Sequence, residues 1–228
     1  MKPKKEFENS DNIGNKQLYT MQKSHKSVFF YLIKRVGDIF LSIIGLFLLV
    51  PVFTVVAFLI KKEEPKGSVF FSQTRVGKNG KLFVMYKFRS MCLGAEEQLP
   101  QLLKFNEIEG AMFKMKCDPR VTKIGKLIRR TSIDELPQLV NVLKGEMSLV
   151  GPRPPLPREV EKYTDYDSQR LSVKPGCTGL WQISGRNDLG FKEMVELDIK
   201  YINTQSIWND TKIIFQTAGI MFGTIGAY

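Results

Sequence analysis

Hydrophobic and polar positions divide the chain into a polar start, one long apolar run and a mixed remainder. Residues Met1 to about Lys26 are rich in Lys, Asn, Ser and Gln and show no hydrophobic periodicity, which predicts a flexible tail over 1–27. From Ile39 to Ile60 no charge appears: IFLSIIGLFLLVPVFTVVAFLI. As one helix, about 22 residues would reach about 33 Å, enough to cross a ~30 Å hydrocarbon core. Length alone therefore favours a spanning helix. Two features point the other way. Pro51 falls near the midpoint, where it removes a backbone hydrogen bond and costs about 3 kcal/mol in a straight helix. Lys34 and Arg35 precede the run and Lys61 and Lys62 follow it, so the preference for positive flanks on the cytoplasmic side suits a hairpin. In that hairpin, residues 28–62 enter one leaflet and return, breaking at Pro51. The Ser42 and Thr54 hydroxyls are then placed to satisfy backbone groups freed near the break. The span and the hairpin both stay open on this pattern. A cleavable signal peptide does not fit, because the apolar segment starts late, runs long and lacks a small-residue cleavage site.

Past Lys62 the pattern shortens. Strand-like runs at Val69 to Ser72 and Leu82 to Lys87 flank the turn signal Gly77 to Gly80. Helical stretches are expected at about Gly94 to Phe105, Lys123 to Arg130, Leu136 to Leu143, Pro157 to Leu171 and Phe191 to Asn203. The fold class that follows is α+β, helix-rich, with little sheet: a small membrane-associated domain over residues 63–207 behind an N-terminal helix–break–helix. Residues 208–228 are apolar with few charges. Trp208, Ile213, Ile214, Ile220, Met221 and Phe222 suit a membrane surface, and an ordinary core helix fits the same pattern.

Composition narrows the chemistry. The chain has 228 residues and a net charge of +11, a size for one domain plus a membrane element and a sign that calls for anionic partners. Nucleic acid is not among those expected, since no zinc-finger spacing, aromatic RNA-binding motif or basic helix with heptads occurs. Cys92, Cys117 and Cys177 are odd in number and lack a CxxC spacing, which suits reduced thiols rather than disulfides or zinc. The only histidine, His25, lies in the polar tail. Histidine triads and HExxH metal sites are excluded. Catalysis has to run on carboxylates, cations, hydroxyls or a thiol.

The stretch Arg129 to Pro154, RRTSIDELPQLVNVLKGEMSLVGPRP, concentrates such groups. Arg129 and Arg130 precede the adjacent acids Asp134 and Glu135, and the segment closes on Pro152-Arg153-Pro154. Carboxylates among fixed cations suit phosphate and metal, in a setting that keeps Asp134 ionised. A purely structural account is also available. Ser132-Ile133-Asp134-Glu135 matches the capping box S-x-x-E, and acids favour the positive end of a helix. Pro137 instead suits the first position of a helix starting near Leu136. Both registers leave two carboxylates at a helix start. Arg153, held between prolines, presents its guanidinium with little freedom, a good geometry for a phosphate fork.

These residues resemble the bacterial sugar transferases that start glycan assembly, the monotopic polyprenyl-phosphate phosphoglycosyl transferases. The matching text is Lys87 to Met91, Asp118 to Arg120, Arg129 to Gln138, Asn141 to Pro154, and Lys174 to Gly176 through Gly185 to Asn187. The resemblance covers roughly residues 28 to 215. It implies the re-entrant hairpin, although Val50 stands where members commonly carry Ser before the proline.

It also implies a reaction. The carboxylate matching Asp134 attacks the β-phosphate of a nucleoside diphosphate sugar, here a UDP-sugar. Uridine monophosphate leaves, and polyprenyl (undecaprenyl) phosphate collects the phosphosugar from the aspartyl intermediate. Mg²⁺ is the implied cofactor, with Asp134 the candidate ligand. Glu135 matches the second acid, in acid–base help or metal support. Lys87, Arg89, Arg129, Arg130, Pro152, Arg153, Pro154, Arg186 and Asn187 are carried over as substrate- and phosphate-binding positions. Trp181 and Gln182 suit either a base contact or the core. The implied partners are the donor, the lipid acceptor and the bilayer, at the cytoplasmic face of the bacterial cell membrane. A homodimer and the identity of the sugar stay open. Some members carry a larger N-terminal membrane domain, and nothing in these residues calls for one here. Two other classes compete: a membrane-anchored scaffold binding anionic lipid, and a metal-dependent phosphatase.

Overall fold

The computed structural model describes residues 26–107, 110, 112–185 and 189–221. His25 and the tail before it, together with Arg186, Asn187 and Phe222, lie outside the described residues.

Helix α1 (Val28–Leu48) starts at Ser27, whose hydroxyl accepts from the Phe30 amide at 3.2 Å. Leu49 interrupts it, and α2 (Val50–Glu63) follows with Pro51 in its first turn. Proline is tolerated there because the first amides of a helix have no partner within it. The two helices are bent by 59°. The hydroxyls expected at the break behave differently. Thr54 donates to the Val50 carbonyl at 3.0 Å, whereas Ser42 is fully buried with an unpartnered oxygen and takes no part. No single helix among the described residues is long and apolar enough to cross a membrane, while the bent pair passes that test together.

The charged flank before the apolar run serves docking. Arg35 donates to the carbonyls of Val142 at 2.5 Å and Leu143 at 2.8 Å. Asp38 accepts from the Leu149 amide at 3.0 Å, and Lys34 reaches the Val150 carbonyl at 3.1 Å. Helix α2 also packs down, with Val56 and Ile60 in a core cluster with Phe88 and Ile128.

Strands β1 (Phe70–Val76) and β2 (Leu82–Phe88) form an antiparallel hairpin, pairing Phe70 with Phe88 and Val76 with Leu82. Both run longer than their expected boundaries. The turn needs left-handed backbone at Asn79 and Gly80, φ 57° and 79°, which these residue types supply at little cost. The helix expected from Gly94 shrinks to α3 (Leu99–Leu102) and a short 3-10 turn. Helix α4 (Lys123–Arg130) follows the predicted bounds, capped by the Thr122 hydroxyl. A 3-10 turn, Ile133–Gln138, leads into α5 (Leu139–Lys144). Strand β3 (Ser148–Val150), α6 (Pro157–Val160), α7 (Asp165–Ser168), strand β4 (Gly176–Thr178) and α8 (Leu180–Ile183) follow. The single helix expected over Pro157 to Leu171 is therefore broken into short pieces. Helix α9 (Phe191–Thr204) lies within a residue of its expected span.

The C-terminal helix α10 (Ile207–Met221) has a buried face and an exposed one. Ile213 and Ile220 are buried, so these two belong to the core rather than to an exposed surface. Trp208 and Phe215 are 69% and 72% exposed. Ile213 packs with Val150, Val173, Tyr201 and Ile202, the core that backs β3.

Candidate active site

Non-local packing builds the site. Strand β2 carries Lys87, and Asn141 of α5 clamps that strand from below: Asn141 accepts from the Tyr86 amide at 3.0 Å and donates to the Val84 carbonyl at 2.7 Å. Past β2, Ser90 accepts a hydrogen bond from Arg129 Nε at 2.9 Å. The Ser90 carbonyl occupies the space that a side chain at Gly125 would need, so α4 lies directly on this segment and its C-terminal Arg129 is fixed.

The acid pair adopts neither register expected from its sequence. Ser132 takes a left-handed conformation, φ 56°, and its side chain caps nothing. The capping box does not form, because Glu135 turns away to Lys87 at 2.6 Å. The α-helix begins only at Leu139, beyond Pro137.

On the other side, β3 and β4 pair in parallel, Ser148 with Gly176 and Val150 with Thr178. Gly151 donates to the Thr178 carbonyl and Gly176 to the Pro152 carbonyl, both at 2.9 Å. A Cβ at Gly176 would strike the Gly151 backbone, so the pair of glycines lets the Pro152-Arg153-Pro154 segment lie against Cys177 and Thr178. Arg153 Nη1 lies 3.2 Å from Glu159 Oε2, and its backbone amide donates to the buried Asp198.

Between these elements lies a cavity of about 530 Å³. Its polar lining includes Arg75, Lys87, Arg129, Asp134, Glu135 and Arg153; its apolar lining includes Leu41, Ile44 and Gly45 of α1, Leu139 of α5, and Ile214 and Ala218 of α10. Trp181 and Gln182 line it as well.

The two adjacent carboxyls are driven apart electrically. Burial lifts Asp134 to about 6, opposed by Lys87 and Arg129 and reinforced by Glu135. At neutral pH it remains mostly ionised, but the neighbouring cations do not outweigh burial. Burial also acts on Glu135, yet Lys87, Arg153 and Arg75 overcome it and hold Glu135 below the ordinary glutamate value. Such a split marks candidates for separate acid and base roles.

Of the residues expected from sequence, Asp134, Glu135, Lys87, Arg129, Arg153 and Pro154 meet at this cavity. Arg130, exposed on α4, and the buried Pro152 do not line it. Arg89 points elsewhere, so that a side chain at Gly67 would collide with its guanidinium. Pro51 lies in the first turn of α2, beside the bend between α1 and α2. Arg75 is the residue that sequence reasoning missed. Its signal was the alternation along β1, which turns Phe71, Gln73 and Arg75 to one, more buried face.

Among the described residues no group of three or more His, Cys, Asp or Glu gathers where a metal could be held. Mg²⁺ commonly takes one or two carboxylates and completes its shell with substrate phosphates and water. Asp134 with Glu135 nearby fits that kind of site, and a closed all-protein cage is not needed.

Adjacent acids, cations and apolar side chains from α1, α5 and α10 thus line one cavity. The family model for bacterial sugar transferases matches residues 29–224. The chain is 51% identical over 228 residues to galactosyl transferase CpsE of Streptococcus agalactiae serotype III (strain NEM316), covering 95% of this chain and 50% of that protein. It is 40% identical over 205 residues to the UDP-glucose:undecaprenyl-phosphate glucose-1-phosphate transferase of Escherichia coli (strain K12), covering 86% and 42%. It is also 40% identical over 199 residues to exopolysaccharide production protein ExoY of Rhizobium meliloti (strain 1021), covering 86% and 88%. This chain belongs to the bacterial sugar transferase family. It spans about half the length of CpsE and less of the Escherichia coli protein.

Proposed function

We propose that the protein transfers a sugar 1-phosphate from a UDP-sugar to undecaprenyl phosphate, at the cytoplasmic face of a bacterial cell membrane, as the first step of a surface polysaccharide. The observation that carries this reading is the cavity itself. It brings a lifted carboxylate and several cations together with apolar side chains from α1 and α10. A lipid phosphate needs both kinds of lining. The names of the relatives supply the rest: a UDP-sugar donor, an undecaprenyl-phosphate acceptor and exopolysaccharide products.

In the proposed reaction an Asp134 oxygen attacks the β-phosphorus of the donor. The bond from that phosphorus to the bridging oxygen breaks, and UMP leaves with the electron pair. The phosphosugar is then held on Asp134 as an acyl phosphate. An oxygen of undecaprenyl phosphate attacks the same phosphorus and the Asp134 carboxylate leaves, which restores the enzyme. Splitting the transfer in two means that a water-soluble donor and a lipid acceptor need not be bound together. Poor solvation of Asp134 favours its attack, while Lys87 keeps Glu135 ionised beside it. Arg129 and Arg153 are the cations for the phosphate oxygens. When bound, Mg²⁺ offsets charge on the diphosphate and the departing phosphate; Asp134 and Glu135 are the residues that would hold it.

The test is UMP release from UDP-galactose and UDP-glucose by the full chain in detergent, with Mg²⁺ and undecaprenyl phosphate. Lipid-dependent release that disappears in Asp134→Asn is expected. Equal release by the variant would remove Asp134 as nucleophile, and release without lipid beyond one equivalent per enzyme would indicate hydrolysis by a phosphatase-like enzyme instead.

A further inference from the structure

Arg75 combines features that the other cations of the cavity do not share. It sits in β1 with 6% exposure and lines the cavity. Lys87 is ion-paired with Glu135 and Arg153 with Glu159, but none of the ion pairs among the described residues involves Arg75. Its guanidinium donates to the Pro154 carbonyl at 3.0 Å and the Gln73 side-chain oxygen at 2.7 Å, both neutral acceptors. Its Nε is buried without any partner.

A buried cation without a counter-ion is costly, as is a buried donor without an acceptor. Folds keep such a group where something else completes it. Burial and the Arg153 charge press the Arg75 guanidinium down to about 9, against the pull of Glu159 and Glu135. It is still protonated at neutral pH. Repulsion between Arg75 and Arg153 is itself informative, since two cations facing one space are relieved by an anion between them. Glu135 and Glu159 already have their own cations.

We infer that Arg75 is an anion-binding residue of the cavity that Asp134 also lines, its guanidinium completing a diphosphate clamp together with Arg153. The inference rests on the proposed nucleoside-diphosphate donor for the identity of the anion, and on the cavity alone for the presence of one. Because Arg75 also grips Pro154, it ties the Pro152-Arg153-Pro154 segment to the ligand charge.

A charge series separates binding from scaffolding. Dissociation constants of uridine, UMP, UDP and inorganic pyrophosphate are measured by calorimetry on the full-length protein in detergent, for wild type, Arg75→Gln and Arg75→Lys. The expected result is a graded loss in Arg75→Gln: uridine unchanged, UMP weakened a few-fold, and UDP and pyrophosphate weakened about ten- to a hundred-fold. Arg75→Lys should recover part of the UDP affinity, because it returns the charge without the fork. A loss of equal size for uridine and UDP, in both variants, would make Arg75 a support for the Pro154 loop and overturn the inference. If wild type binds pyrophosphate in an Arg75-dependent manner but no uridine nucleotide, Arg75 stands and the UDP-sugar donor falls. Wild-type protein that binds neither UDP nor pyrophosphate would overturn both.

Discussion

Lys87 closes on Glu135 at 2.6 Å and leaves the adjacent Asp134 outside any ion pair among the described residues. Two consecutive carboxylates thereby acquire different chemistry from one strand-borne cation. Glu135 is held ionised by its contact. Asp134, buried at 7% exposure, is lifted to about 6.

A pH profile follows from that split. If ionised Asp134 is the nucleophile, kcat/KM for UMP release should fall about tenfold per pH unit below about 6 and level off above it. Glu135 is shifted down, so it stays ionised across this limb. Removing a like charge stabilises the ionised form of its neighbour, so Glu135→Gln should move the limb to lower pH whatever its height. Lys87→Met should move it to higher pH. A limb that stays fixed in both variants would assign it to another group.

The same shift makes Asp134 a stability cost. A carboxyl raised from 3.8 to about 6 binds its proton more tightly folded than unfolded. Stability is therefore lost as pH rises through that interval, and stays lost above it, by about 3 kcal/mol as an upper figure. Asp134→Asn carries no such charge. Thermal melting at pH 7.5 should show the inactive variant more stable than wild type by about 1–3 kcal/mol, with the difference vanishing near pH 4. A variant less stable at both values would mean that the Asp134 carboxylate is held by contacts worth more than its burial costs.

Local patterns carried some of this architecture and not the rest. Thr122 and the 3.6-residue period mark α4, and the period from Phe191 marks α9, because amphipathic helices are written in adjacent residues. The acid pair was legible as a site by composition, but its backbone was not. Lys87, 48 positions before Glu135, draws that glutamate out of the capping role its sequence suggests. Strands β3 and β4 are three residues each and meet through Gly151 and Gly176; such short buried runs have no alternation to read. Lys34 and Arg35 looked like topology signals, and their carbonyl partners lie more than a hundred positions along the chain. Arg75 stayed hidden for the same reason, since Pro154 is 79 residues distant.

The bend between α1 and α2 sets how deep the hairpin would reach. With a 59° bend shared equally, each leg inclines by about 30° to the membrane plane. The 14 residues of α2 extend about 21 Å, which puts Leu49 and Val50 only about 10 Å below the entry plane, short of the midpoint of a ~30 Å core. Lys26→Cys, just before α1, should resist an impermeant thiol reagent added outside intact cells, because a hairpin keeps both ends on the cytoplasmic face. Pro51→Leu, which restores a backbone donor and removes the ring that forbids a continuous helix, should straighten the pair and carry the same cysteine across the membrane. Ready labelling of Lys26→Cys with Pro51 intact would establish a span.

Lys34 and Asp210 join the first and last helices of the described chain. Their side chains are 13% and 9% exposed, and Tyr201 hydroxyl stands with them, 2.8 Å from Asp210 and 3.0 Å from the Val150 carbonyl. Removing one member of such a pair strands the other charge out of water, so Lys34→Met should destabilise by about 3–5 kcal/mol in thermal melts. Lys34→Met with Asp210→Leu should recover much of that loss, giving a coupling of about 1–3 kcal/mol in the double-mutant cycle. The functional reach is specific. Val150 directly precedes Gly151 and the Arg153 loop, so Lys34→Met should raise the donor KM more than it lowers kcat, and the double variant should return KM toward wild type. Additive stability losses would mean that the two charges act separately, and a KM unmoved by Lys34→Met would confine the contact to holding the helices together.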